Sequence, residues 1–378
     1  MTATPAPEVD PAVRGVSVRL FREGDEERML LLLEQAFGRW PSLEITVDPI
    51  DHLRWKLRAG VYRNHVVAEA GQKIAGMAVT LPRTARAREH ALVEWIAVDL
   101  AVHPDYQRLG ILNAIRKVRE ESFCGAFDFA IGGLGDHPVF KHRTWLGDTP
   151  RRLIGNRVQV RERPFTLAAA LARFGPRPGR SMRDVARSIG LAWRGVLGLA
   201  RGGPPVAQRT AWTVREIDSF DERVDRLWEE ASPSFDFVLL RDAEFLNWRY
   251  CDARAGRFTR FAAEQDGRLL GYAVAQVSYG RGYLSDVLVR PGRLDVLDSL
   301  LAHATGRLKQ AGVAVAIAWC ATLHPYGPVL QRHGWLVRPT RTRDLSYRPL
   351  HRGAETKLAF LQDPQTRIHF TTGDVDVV

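Results

Sequence analysis

The sequence predicts a mixed α/β (α+β) fold in which one domain plan occurs twice, each copy a central, mostly antiparallel mixed sheet flanked by helices. Three observations carry this expectation. Sequence elements recur in the same order in both halves, a tryptophan-bearing helix precedes a glycine-entered hairpin in each, and the spacing between these landmarks is nearly kept. At 378 residues the chain has room for two domains, each of roughly 150–200 residues.

The first half opens on an alternating strand, Val16–Leu20, and a helix over about 25–37 with Met29, Leu32, Leu33 and Ala36 on one side. The second opens on Trp212–Ile217 and a helix striped by Phe220, Val224, Leu227 and Trp228. Asp51–Lys56, carrying Trp55, is then matched by Glu244–Arg249, carrying Trp248. Each leads into a strand (Val66–Glu69, Phe261–Glu264), a glycine turn (Ala70–Gln72, Gln265–Gly267) and a second strand entered through Gly76 or Gly271. Trp55 to Gly76 spans 21 residues and Trp248 to Gly271 spans 23. Strands Leu92–Val102 and Tyr283–Val289 each precede a helix, and Phe127–Ile131 pairs with Val313–Trp319 as a buried strand. His137-Pro138 leading to Trp145-Leu146 echoes His324-Pro325 leading to Trp335-Leu336. These landmarks place one domain at 14–165, an Arg-rich helical linker at 166–209, a second domain at 210–345 and a tail at 346–378.

Composition narrows the class. The apolar fraction of 45% lets each half bury a core. Cys124, Cys251 and Cys320 fit neither a metal spacing nor a disulfide framework, which suits a reducing cytoplasm. Residues 1–10 carry no apolar signal region, and no run of ~18 uncharged apolar residues occurs, so a soluble cytoplasmic protein is expected. The net charge of +11 invites a nucleic-acid reading. Yet twelve arginines against Glu162 and Asp184 lie between 151 and 203, leaving the rest of the chain close to neutral.

The strongest chemical motif follows the strand that ends at Val102. A turn through Pro104 leads to Gln107-Arg108-Leu109-Gly110-Ile111-Leu112, where a helix begins and extends to about Phe123. A helix start leaves amide N–H groups without partners and points its positive dipole end outward, which suits a pyrophosphate. Gly110 allows close backbone approach, and Arg108 adds a countercharge. The counterpart turn, Val289-Arg290-Pro291-Gly292-Arg293-Leu294, runs almost directly into its helix, so the second domain is expected to hold no cofactor.

In this motif the chain resembles the GNAT acyltransferase superfamily, whose Gln/Arg-x-x-Gly-x-Gly/Ala loop is matched by Gln107-x-x-Gly110-x-Leu112. Leu112 stands where the superfamily has a small residue. The resemblance implies two tandem GNAT-like domains and an N-acyltransferase using acetyl-CoA or another acyl-CoA. It also implies pyrophosphate on Gln107, Arg108, Leu109, Gly110, Ile111 and Leu112, and a pantetheine arm along Leu100, Ala101 and Val102.

Transfer to an ammonium needs a base. The resemblance implies one on the strand before the loop, which offers Asp99 and Glu94. Asp99, interrupting the apolar run Ile96–Val102, is the first choice, set against its reading as a strand-edge acid satisfied by a neighbouring Arg. The superfamily's tyrosine acid falls on Phe140, which cannot donate; His142 or His137 are the substitutes, or the thiolate leaves unaided. The tail holds further carboxylates, Asp374 and Asp376, behind Phe370. They are read either as a frayed end or as a segment threaded into the site.

Two amphipathic stretches, 166–174 and 184–200, interleave arginine with apolar residues. They read as a linker packed across both domains, or as a basic surface for tRNA, a carrier protein or a membrane. Three functions stay in view. One is acylation of a primary amine on a small metabolite or antibiotic-like molecule; the second is aminoacyl-tRNA-dependent transfer; the third is non-catalytic CoA binding. A homodimer is compatible with each.

Overall fold

A computed structural model describes residues 15–57, 65–123, 125–133, 151–174, 190 and 211–375. Strand β1 (Ser17–Leu20) leads to helix α1 (Glu26–Phe37), which buries Met29, Leu32 and Leu33 and stops at Gly38 with φ 72°. Helix α2 (Pro49–Leu57) starts on a proline, whose missing N–H costs nothing in a first turn. Strands β2 (Val66–Ala70) and β3 (Lys73–Ala87) form the expected hairpin. Strand β4 (His90–Val102) returns antiparallel to β3, helix α3 (Ile111–Phe123) crosses over, and β5 (Phe129–Gly133) lies parallel to β4. Two short strands, β6 (Arg152–Leu153) and β7 (Val158–Pro164), and helix α4 (Leu167–Phe174) follow.

The second half repeats the plan with one added strand. It runs β8 (Thr213–Ile217), α5 (Arg223–Ala231), β9 (Phe237–Leu239), α6 (Ala243–Tyr250), β10 (Phe258–Gln265), β11 (Arg268–Ser278) and β12 (Arg281–Val289). Then come α7 (Leu294–Gln310), β13 (Val315–Ala321), α8 (Gly327–Arg332) and β14 (Leu336–Arg343). Strand β15 (Leu345–Pro349), helix α9 (Arg352–Leu358) and strand β16 (Ile368–His369) close the described chain. Among the described residues no helix is long and apolar enough to cross a membrane.

The sheets exchange strands across the expected boundaries. Strand β7, from before residue 165, lies between β13 and β14 in a seven-stranded sheet. Strand β15, from the tail, pairs with β5 and β6 in a nine-stranded sheet that β9 and β16 also join. Alternation in a strand reports burial but not which neighbour supplies the ladder, so the repeat alone could not show the exchange. A shared cluster seals the joint: Val158 and Phe129 meet Phe237, Tyr347, Leu358 and Phe370. The segment after 345 is therefore structural, and Thr372, Gly373 and Asp374 are buried.

Candidate active site

Strand β4 carries a bulge near its end. Met77 pairs with Ala101 and Val79 with Val98, so Asp99 and Leu100 both face the single residue Ala78. Asp99 takes φ 47° there, unusual for a non-glycine residue. Its carboxylate is closed on two sides, with Trp40 Nε1 donating to Oδ1 at 2.7 Å and Lys56 Nζ lying 3.0 Å from Oδ2. Among the described residues β4 pairs with β5 at Glu94 and Phe129 only. Toward Val102, the β5-facing edge of β4 therefore has no strand partner among the described residues.

Beyond Val102 a 3-10 turn (Pro104–Tyr106) leads into the loop. Arg108 (φ 66°) and Gly110 (φ 81°) both adopt left-handed backbone, which turns successive amides the same way. Among the described residues, no acceptor is within reach of the N–H groups of 108–112. Residues 107–110 are exposed, with nothing within 4 Å of a Cβ placed on Gly110. Gly76 seats the helix behind them: a Cβ on it would stand 2.6 Å from Ile111 Cγ2. Leu112 is only partly buried and does not close the loop. In the second half, Val289 and Leu294 are separated by four residues, and no such crown forms.

On the opposite face of the sheet, β3 and β4 floor a small, partly open cavity with Leu81, Arg83, Ile96 and Val98. Its volume is ≈ 30 Å³, room for a water or two. Helix α2 contributes His52, Trp55 and Lys56, and helix α6 contributes Phe245, Trp248 and Arg249. The C-terminal segment closes it with Gly373, Asp374 and Val375. Burial, with Lys56 nearby, lowers the His52 imidazole to about 4, so it is neutral at pH 7. A larger open depression of ≈ 590 Å³ lies on the second half by the β10–β11 turn. It borders neither loop nor tail, and its Arg268, Arg290 and Arg293 are paired with Glu230 and Asp295.

Behind the cavity lies a buried charge network that sequence reasoning did not find. Arg241 joins Asp374 (2.7 Å) to Asp286 (3.1 Å), and Arg83 reaches Asp374 at 3.2 Å. Asp286 also accepts from Tyr272 Oη at 3.2 Å, and Arg241 holds its carboxyl far below the usual range against the cost of burial. His369 stands 3.9 Å from Asp286 and 2.8 Å from His324. A legible clue existed, because the repeat sets Asp99 opposite Asp286, each three residues before the valine that ends its strand.

Glu94 lies on the same face of β4 as Ile96 and Val98, two residues from the cavity floor. It is 2% exposed, and its Oε2 has no partner among the described residues. Burial raises its carboxyl to about 8, with Arg83 opposing, Asp374 adding to the rise, and the Ile131 backbone opposing. His142, His137, Phe140 and Trp145 lie outside the described residues, as does most of the Arg-rich segment. Six of that segment's arginines are described, and they turn inward or pair. Arg161 and Arg163 are buried in β7, while Arg152, Arg157 and Arg173 meet Glu355, Asp344 and Glu162. Arg151 is held against Gly132 and bonds Ser346 Oγ.

The sequence matches no protein-family model and no curated protein. The fold does match solved structures. A conserved Enterococcus faecalis protein, described as a probable N-acyltransferase, superposes at TM-score 0.60 over 90% of this chain and 73% of its own, with 12% identity. Saccharomyces cerevisiae N-myristoyltransferase with bound myristoyl-CoA gives 0.60 over 92% and 81% at 13% identity. A GCN5-related N-acetyltransferase from Kribbella flavida gives 0.58 over 91% and 74%, again at 13% identity. The likeness spans nine-tenths of the chain, and with the two mixed sheets and the bulged fourth strand it gives the chain the tandem GNAT-like fold of these structures.

Proposed function

We propose that the chain is an N-acyltransferase that takes its acyl group from acetyl-CoA or a longer acyl-CoA and delivers it to a primary amine on a small molecule. The observation that carries this reading is the crown of amides at 108–112, unpartnered among the described residues and set at the helix end of a strand whose other face floors a small cavity. The crown fits a pyrophosphate by number, direction and charge. Arg108 adds a cation, and the edge of β4 at Leu100, Ala101 and Val102, which has no strand partner among the described residues, offers the amides and carbonyls an extended pantetheine amide would pair with. When bound, acyl-CoA supplies the thioester that the amine attacks. The known complexes of yeast N-myristoyltransferase with myristoyl-CoA support the general donor class.

The residues of the chain divide the remaining work. The cavity under Trp55, Trp248 and Phe245, at ≈ 30 Å³, has the size of a site for a relay water beside Glu94 rather than a seat for the amine itself. In our reading Glu94, rather than Asp99, takes the amine's proton through a bridging water. Glu94 has a free carboxyl oxygen and a raised affinity for protons. The oxygens of Asp99 are already committed to Lys56 and Trp40, and its counterpart Asp286 occurs in the half without a loop. Asp99 thus reads as the pin of the bulge. Titration calorimetry with acetyl-CoA and myristoyl-CoA tests the proposal, since absence of micromolar binding to either would sink it. A free-thiol screen over primary amines then finds the acceptor.

A further inference from the structure

The C-terminal segment does more than close the cavity. Arg83 and Glu94 are direct cross-strand partners in the β3–β4 ladder, positions at which opposite charges ordinarily pair. Here they do not. The Arg83 guanidinium bonds Asp374 Oδ1 (3.2 Å) and the Leu240 carbonyl, and lies 4.0 Å over the Phe245 ring. Among the described residues it makes no ion pair with Glu94. Asp374 is held from behind by Arg241 and by the Thr371 amide, both at 2.7 Å. Gly373 has no room for a side chain, because a Cβ would sit 1.9 Å from Tyr250 Oη.

We infer that Arg83 and Asp374 are positioning residues: the docked C-terminal segment diverts Arg83 from Glu94 and so decides whether Glu94 is a proton acceptor or a neutralised partner. This rests on Glu94 as the base. With Asp374 docked, Glu94 faces a neutralised cation on β3, a carboxylate on the tail and only backbone on β5. It then binds a proton avidly. If the segment withdraws, Arg83 turns to its ladder partner, and Glu94 stays ionised but is a poor base. Tail docking is thereby a switch on proton transfer, operated by a single shared guanidinium.

The test reads Glu94 directly, without a substrate. The infrared C=O stretch of a protonated buried carboxyl, identified by its loss in Glu94→Gln, is titrated in the full-length protein. Asp374→Asn should move the titration down by at least one pH unit, and Arg83→Gln should move it up. The double variant should lose the downward shift. An Asp374→Asn protein that melts as a folded chain with an unmoved titration overturns the inference. So does an unmoved titration in Arg83→Gln, which serves should Asp374→Asn not fold. The base reading fails separately: it is wrong if Glu94→Gln keeps the acid limb of the kcat/KM profile, whatever the infrared titrations show.

Discussion

Trp55 and Trp248, which hold the same place in the two halves of the repeat, stack face to face with ring centroids 4.7 Å apart and planes 18° from parallel. The pair joins α2 to α6 and roofs the cavity. It is the contact by which the duplicated chain recognises itself, and it binds the halves where the proposed chemistry takes place. Trp55→Ala should therefore cost about 3–5 kcal/mol in urea unfolding. The double variant with Trp248→Ala should fall short of additivity by about 0.5–1.5 kcal/mol.

Asp99 is expected to matter for stability before it matters for proton transfer. Removing its carboxylate takes away the buried countercharge of Lys56 and the acceptor of Trp40. Asp99→Ala should destabilise by about 3–5 kcal/mol, measured by thermal or urea melts. Asp286→Ala, at the matching place in the second half, should be of the same order. A variant of Asp99 that melts like the parent yet loses turnover would return the base to that position.

Gly110 needs its left-handed backbone, not space. Gly110→Val should leave the fold in place, cost about 1–2 kcal/mol in backbone strain, and lower acyl-CoA affinity at least tenfold by calorimetry. Gly292→Val imposes the same strain at φ 77° on the loop-less turn. It should leave affinity unchanged.

Glu94 also writes a pH dependence into stability. Its proton is held more tightly in the fold (about 8) than at its ordinary value of 4.5. Its contribution is thus fully present below 4.5 and is lost as pH rises through 8. Relative to wild type, Glu94→Gln should gain stability across that window and level off above it. Urea melts at pH 5, 7 and 9 for both proteins check the sign.

Gly373→Ala should undock the C-terminal segment, since the methyl group would collide with Tyr250 Oη and the Ser285 carbonyl. Faster proteolytic trimming of the C-terminus is the expected readout, with the two sheets still folded.

Local pattern was enough for much of this. Alternation, glycine turns and helical stripes marked the hairpins, the crossover helices and the repeat, because those features depend on neighbours a few residues apart. The loop at 107–112 was legible for the same reason: a strand end, a glycine and a helix start are consecutive in the chain. What the sequence by itself determined was therefore the kind of fold and the place of the amide crown. The exchange of β7 and β15, the stacking of Trp55 on Trp248 and the Arg83–Asp374–Arg241 network were decided only in the tertiary structure. Arg83 and Asp374 are 291 residues apart, and neither carries a local sign of the other. A buried carboxylate's role depends on which cation reaches it, and that is settled by packing between distant segments, as the contrast between Asp99, held by Lys56, and Glu94, whose ladder partner Arg83 bonds Asp374 instead, makes plain.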